Sequence, residues 1–267
     1  MPFIGNRTRA TFTSDYLPAA DHKAIATNIN GITAFVVGQP SEEAAKTAAL
    51  EQCQKRADAS SSPRKCEVYA VGNTVVYPHS KPPVPPLPWI RRDPATERPF
   101  VADEMPLIRD QGKTRLENAY TAGRKTKSIA LGPGGQFFFS TAVDTVDDAV
   151  RRNLESCGAA AGVACMIVAL DDVFVVPVPK TMKVTGFFRQ VGDARMIAAD
   201  ARDDVFRKLN DASSGWNAVA VGAAGRPGVS LKAASEQNAI NEALGNCVKR
   251  DSDCHVIAIG PFMVGPN

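Results

Sequence analysis

Short apolar runs recur along the chain at fixed distances from a glycine, a hydroxyl residue and a cysteine. The runs Ala24-Ile25-Ala26, Ser128-Ile129-Ala130 and Ala218-Val219-Ala220 are each followed, five residues after the closing alanine, by Gly31, Gly135 and Gly225. Fifteen residues after the same alanines stand Ser41, Thr145 and Ser235. Then come Ala45, Ala149 and Ala239, Leu50, Leu154 and Leu244, and finally Cys53, Cys157 and Cys247, without a gap in any copy. A second cysteine follows each (Cys66, Cys165, Cys254), and behind it lie Val68-Tyr69-Ala70-Val71, Ile167-Val168-Ala169-Leu170 and Val256-Ile257-Ala258-Ile259.

This register predicts the same elements three times. A short apolar run entering a glycine turn and returning is a β-hairpin. Ser41, Thr145 and Ser235 carry the oxygen that caps the free N–H groups of a helix start. The acidic residues behind them (Glu42-Glu43, Asp147-Asp148, Glu236) suit its positive end. The Ala-x4-Leu-x2-Cys spacing keeps three side chains on one half of the helix, and the apolar run after the second cysteine is a third strand. The fold class expected is α+β: three β-β-α-β repeats joined by helical and Pro-rich connections. They are arranged about a pseudo-threefold axis or share one sheet, with a groove between them.

The boundaries follow as module 1 over 1–77, a Pro-rich linker over 78–102, module 2 with a preceding helix over 103–177, and module 3 with a preceding helix over 178–267. Helices are expected at about 107–122 and 200–209, with 9–16 in the matching place of the first module. The linker run Lys81-Pro82-Pro83-Val84-Pro85-Pro86-Leu87-Pro88-Trp89 reads as polyproline II, with Trp89 anchoring its end. The loop between paired cysteines varies in length and is longest over 54–65, where an insertion belongs on the surface.

The cysteines set the compartment. Each pair links a helix end to the next strand, so the pairing expected is Cys53–Cys66, Cys157–Cys165 and Cys247–Cys254. Each bridge is worth roughly 2–3 kcal/mol. Free buried thiols are the first alternative; metal binding competes poorly, because two-cysteine sites fall short of the four ligands zinc takes. His255 beside Cys254 has no counterpart in the other pairs. The Cys-x-x-Cys spacing of redox pairs is absent. Bridges of this kind belong outside the reducing cytosol. The opening residues Met1-Pro2-Phe3-Ile4-Gly5-Asn6-Arg7 lack the basic-then-apolar layout of a secretory signal. That leaves a cytosolic chain, or one whose leader or upstream part lies outside this sequence; the cysteines favour the second, with a periplasmic or secreted location.

Composition narrows the partners. Of 267 residues, 44% are hydrophobic and 22% charged, as in ordinary globular proteins. The net charge of +3 comes from scattered Lys and Arg, without the basic runs that mark nucleic-acid binding. No apolar run reaches membrane-spanning length.

Candidate chemistry is sparse. Gly132-Pro133-Gly134-Gly135 lacks the Gly-Lys-Ser/Thr of a phosphate loop and aligns with the other hairpin turns. His22, His79 and His255 occupy non-equivalent places, and Asp171-Asp172 and Asp203-Asp204 read as solvated turn or helix positions. The Pro-rich run serves as a stiff spacer or as a ligand for an aromatic groove. Phe137-Phe138-Phe139 puts at least one ring on the second face of its sheet, to be covered or offered to a ligand. His79, Arg91, Arg92 and Asp110 lie in the unique connections, but no spacing selects them. Catalytic residues stay unassigned, and no cofactor or metal is called for.

The order of strand, glycine turn, strand, hydroxyl cap, Ala-rich helix ending in Cys, loop, Cys and strand resembles the bacterial domain-of-unknown-function family 4189. The resemblance covers roughly 22–77, 127–177 and 216–264. It implies small secreted or periplasmic domains, often with a disulfide, found also as C-terminal parts of larger bacterial proteins behind a catalytic front end. It implies no activity and transfers no catalytic residue. The function expected is a non-enzymatic extracytoplasmic module binding a small molecule, glycan or protein. The alternatives are an enzyme with its site between modules, or a regulatory tail of a larger protein.

Overall fold

The computed structural model describes residues 1–212 and 214–266. It is an α+β protein with three antiparallel sheets. The first part comprises α1 (Asn6–Thr11, continued by a π-helical turn to Tyr16), β1 (Ala24–Thr27), β2 (Thr33–Val36), α2 (Glu42–Ala59), β3 (Glu67–Val71) and β4 (Thr74–Val75). Next come β5 (Arg98–Pro99), α3 (Asp110–Arg115, with a π-helical turn to Thr121), β6 (Ser128–Leu131), β7 (Phe137–Ser140), α4 (Val146–Ala161), β8 (Met166–Leu170) and β9 (Val173–Phe174). The last part holds β10 (Lys183–Phe187), α5 (Ala199–Asp211), β11 (Trp216–Val221), β12 (Pro227–Ala233), α6 (Glu236–Cys247), β13 (His255–Ile259) and β14 (Phe262–Gly265). The strand orders are β2-β1-β3-β4, β5-β9-β8-β6-β7 and β10-β14-β13-β11-β12.

The caps sit where the sequence places them. Ser41, Thr145 and Ser235 are extended, and their hydroxyls accept from the N–H groups of Ala44, Asp148 and Asn238. Two readings need correction. A short fourth strand (β4, β9, β14) turns back on the third in each sheet, and α2 and α4 run past their cysteines instead of ending there. Residues 54–59 are good helix formers, so much of the expected loop is helix.

Alternation along the strands explains the layering. In the first sheet Ala24, Ala26, Ala34 and Val36 face Ala45, Ala49 and Cys53 of α2, so small side chains let helix and sheet approach closely. Ile25 and Ala70 point the other way, onto Ile4, Phe12 and Tyr16. The third sheet repeats the arrangement. Ala218 and Ala220 meet Ala239, Ala243 and Cys247 of α6, while Val219 and Val221 share a core with Ile197, Val205 and Phe206. Gly228 of β12 sits where an added Cβ would overlap the backbone of Ala243 and Cys247.

The turn glycines have a second constraint. Gly31, Gly135 and Gly225 have φ of 80°, 81° and 74°. A Cβ on the first two would run into the carbonyl oxygens of Phe3 and Leu107, and on the third into the backbone at Met196 and Ala198. Each hairpin turn thus cradles the segment that leads into the preceding helix.

The three disulfides join Cys53–Cys66, Cys157–Cys165 and Cys247–Cys254, each with Cα atoms 6.0 Å apart. Such bridges fit an oxidising, extracellular type of environment. Among the described residues no helix is long and apolar enough to cross a membrane.

By its contacts the chain forms two compact units: Met1–Pro85 with Thr126–Gly132 and Phe138–Met166, and Pro86–Lys125 with Pro133–Phe137 and everything from Ile167 onward. In the first unit α4 grips the opening segment. Glu155 accepts from Phe3 N at 2.7 Å, Asp148 from Asn6 N at 3.2 Å, and Arg151 donates to Ile4 O at 2.7 Å. Arg151 also pairs with both carboxylates. The start of the Pro-rich run lies on the same helix: a Cβ at Gly158 would overlap the Pro83 backbone.

A buried tyrosine and, seven residues on, a buried lysine precede both β1 and β6. Tyr16 donates to Gly72 O at 2.6 Å and Tyr120 to Asp171 O at 2.7 Å. Lys23 is almost wholly buried and donates to the carbonyls of Leu17 and Ala19, closing the end of the helical segment. Burial, with the Asp21 charge behind it, pushes the Tyr16 phenol up to about 12, and burial raises Tyr69, Tyr77 and, furthest, Tyr120. A raised phenol pKa stabilises the fold in full below the ordinary value of about 10, and that contribution is lost as pH rises through the folded-state value. In an ultraviolet titration, phenolate absorbance at about pH 11 is expected to stay well below that of the unfolded chain. An ordinary midpoint in the folded protein would refute this.

Candidate functional site

The second unit carries an open groove of about 750 Å³, within the range of ligand sites. One wall is the segment 103–108, the other the stretch 179–185 that runs into β10. Both walls are anchored from behind. Ala102 and Met105 are buried, and Leu107, with φ of 66°, rests its carbonyl against Gly135. On the opposite wall Met182 and Val184 pack against the core of the third sheet. Glu236, in the first turn of α6, accepts from Lys180 N at 3.1 Å, Thr181 N at 3.0 Å and Thr181 Oγ1 at 2.6 Å.

An ion network ties the walls together. Arg98 pairs with Glu104, lies 4.5 Å from the centre of the Phe174 ring and donates to Val178 O at 3.3 Å. Lys180 Nζ reaches the other Glu104 oxygen at 2.9 Å. Burial alone would push the Glu104 carboxyl up, but the hydrogen bonds from Lys180 and Arg98 outweigh it and hold the group below the usual carboxylate range. The surface that results has an apolar floor of Met105, Pro106, Leu107, Ile108, Met182 and Val184. Lys113, Lys180, Lys183, Asp103 and Glu104 form its polar lining.

No family model, curated protein or solved structure matches the chain.

The first unit has a smaller hollow of about 250 Å³ among Ile4, Phe12, Tyr16, Ile25 and Tyr69. It is mainly apolar, with Arg9, Thr13 and Asn73 also on its lining, and the Tyr16 hydroxyl there is already bound to Gly72. The residues singled out from the connections serve elsewhere. His79 pairs with Glu67 at 2.8 Å and Arg92 with Glu97 at 2.6 Å, and Asp110 opens α3 on the surface. None of these, nor Arg91, lines the groove. All three histidines are exposed. Asp172 pairs with Lys125, and Asp204 with Arg207 and Lys208. Gly134-Gly135 form the β6–β7 turn. The rings of Phe137, Phe138 and Phe139 are half-buried, with Phe137 over Gly112 and the Arg115 guanidinium 5.8 Å from its centre. Among the described residues no group of three or more His, Cys, Asp or Glu is placed to hold a metal.

The groove residues escaped the sequence reading because they come from two connections without periodicity. The Tyr–Lys pairs were within reach of it. Tyr16 precedes Lys23 and Tyr120 precedes Lys127 by the same seven positions, directly ahead of the first strand in each case.

Proposed function

We propose that this chain is a non-enzymatic, extracytoplasmic binding module, periplasmic or secreted, that takes its ligand in the groove between segment 103–108 and β10. The observation that carries the reading is the groove itself: an apolar floor, a lysine-bearing rim, and walls locked by Glu104 and Glu236. Its most enclosed carboxylate, Glu104, is held ionised by two cations, the opposite of the raised pKa that suits a general acid near neutrality. The disulfides support a location outside the cytosol. The cysteine register supports kinship with the secreted domains of family 4189.

The test is a thermal-shift screen of the full chain against panels of peptides, glycans and small organic acids. At least one class is expected to raise the unfolding temperature by a few degrees, consistent with ligand linkage of about 2–3 kcal/mol at saturation. Thr185→Trp, an exposed position on the groove wall, is expected to abolish that shift while leaving the unliganded melting temperature in place. A silent panel, or a shift indifferent to Thr185→Trp, would remove the groove as the binding site.

A further inference from the structure

The groove runs along the free edge of a sheet. β10 is the outermost strand of the third sheet and pairs with β14 on one side only. An edge strand presents N–H and C=O groups that another extended chain can pair with. From Met182, just ahead of β10, the side chains alternate: Met182 and Val184 turn inward onto the core, while Lys183 and Thr185 are exposed. A register shift between Val184 and Gly186 leaves Thr185 without a partner on β14, and pairing resumes at Gly186 and Phe187.

Charge selects the occupant. Lys113, Lys180 and Lys183 line the groove, and of its two carboxylates Glu104 is already engaged by Arg98 and Lys180. Lys183 stands on the edge itself. A second copy of β10 would bring lysine against lysine, and like charges directly opposite destabilise a strand pair. A strand of alternating apolar and acidic residues meets the opposite situation.

We infer that β10 accepts an extended acidic peptide segment of a partner protein as an added strand, its backbone pairing with residues 182–185 and its carboxylates meeting Lys183 and Lys113. This rests on the groove being the binding site and names what fills it.

The experiment uses the full chain and three labelled peptides of about eight residues: alternating Val-Glu, alternating Val-Lys, and the Val-Glu peptide N-methylated at every backbone amide, so that neither edge can donate. Fluorescence anisotropy is expected to show the Val-Glu peptide binding at least about tenfold more tightly than either other peptide, with Lys183→Glu weakening it about tenfold. Hydrogen exchange is expected to slow at residues 182–185 on binding. Equal binding of the N-methylated peptide would reduce the contact to charge alone and overturn strand addition. Indifference to Lys183→Glu would place the peptide elsewhere and overturn it too. If the Val-Glu peptide fails to bind while another ligand's thermal shift is still lost in Thr185→Trp, strand addition falls and the groove reading stands. If nothing binds, both fall.

Discussion

Full reduction of the three disulfides is expected to cut the denaturant midpoint of the first unit by more than half, and to leave that unit largely unfolded at body temperature. The bridges close short loops, with sequence separations of 13, 8 and 7 residues. Chain-entropy reasoning assigns each about 2.5–3 kcal/mol, so about 5.5 kcal/mol falls on the first unit with its two bridges and about 2.5 kcal/mol on the second, against a total stability of about 5–15 kcal/mol for a typical domain. Packing adds to this, because Cys53, Cys157, Cys165 and Cys247 are buried and belong to the helix–sheet layers. Circular dichroism with and without dithiothreitol, with the thiols counted by alkylation and mass spectrometry, measures the effect. An unchanged midpoint in a chain shown to carry six free thiols would mean that the packed layers alone sustain the fold.

Gly228→Ala should cost about 3 kcal/mol or more. The new methyl group would meet the Ala243 carbonyl oxygen and the Cys247 backbone of α6. Backbone atoms have no rotamer to retreat into, so the helix must move off the sheet and surrender part of the alanine-lined contact around Ala218, Ala220 and Ala243. Gly245→Ala, in the same helix, is the control. Nothing lies within 4 Å of its added Cβ, so the change should stabilise by about 0.5–1 kcal/mol through helix propensity. Thermal denaturation of the two variants should therefore move in opposite directions. If Gly228→Ala matches the parent, the close approach of α6 to β12 is not what holds this layer together.

The elements that sequence revealed are those whose cause is local. A hydroxyl cap needs only the next turn of helix, and a hairpin glycine only its own φ, so Ser41, Thr145, Ser235 and the three turn glycines were readable from spacing. The helices preceding the strands were also in view, expected at 9–16, 107–122 and 200–209; they extend over Asn6–Tyr16, Asp110–Thr121 and Ala199–Asp211. What stayed hidden depends on residues far apart in the chain. β4 and β9 have two residues each, too few to display alternation, and exist because β3 and β8 offer them an edge. Gly158 stands in an alanine-rich helix because the Pro83 backbone occupies the space a side chain there would need. The groove wall at 103–108 has no periodic signature, because Arg98, Lys180 and Gly135 hold it in place.

The grip of α4 on the opening segment bears on the order in which the chain is made. A nascent protein ordinarily folds domain by domain from its N-terminal end, yet Phe3, Ile4 and Asn6 find their partners in Asp148, Arg151 and Glu155. The first unit therefore stays incomplete while the chain is being made. It closes only when the segment up to Met166 has emerged, and until then its earliest residues wait unburied for a helix encoded far downstream.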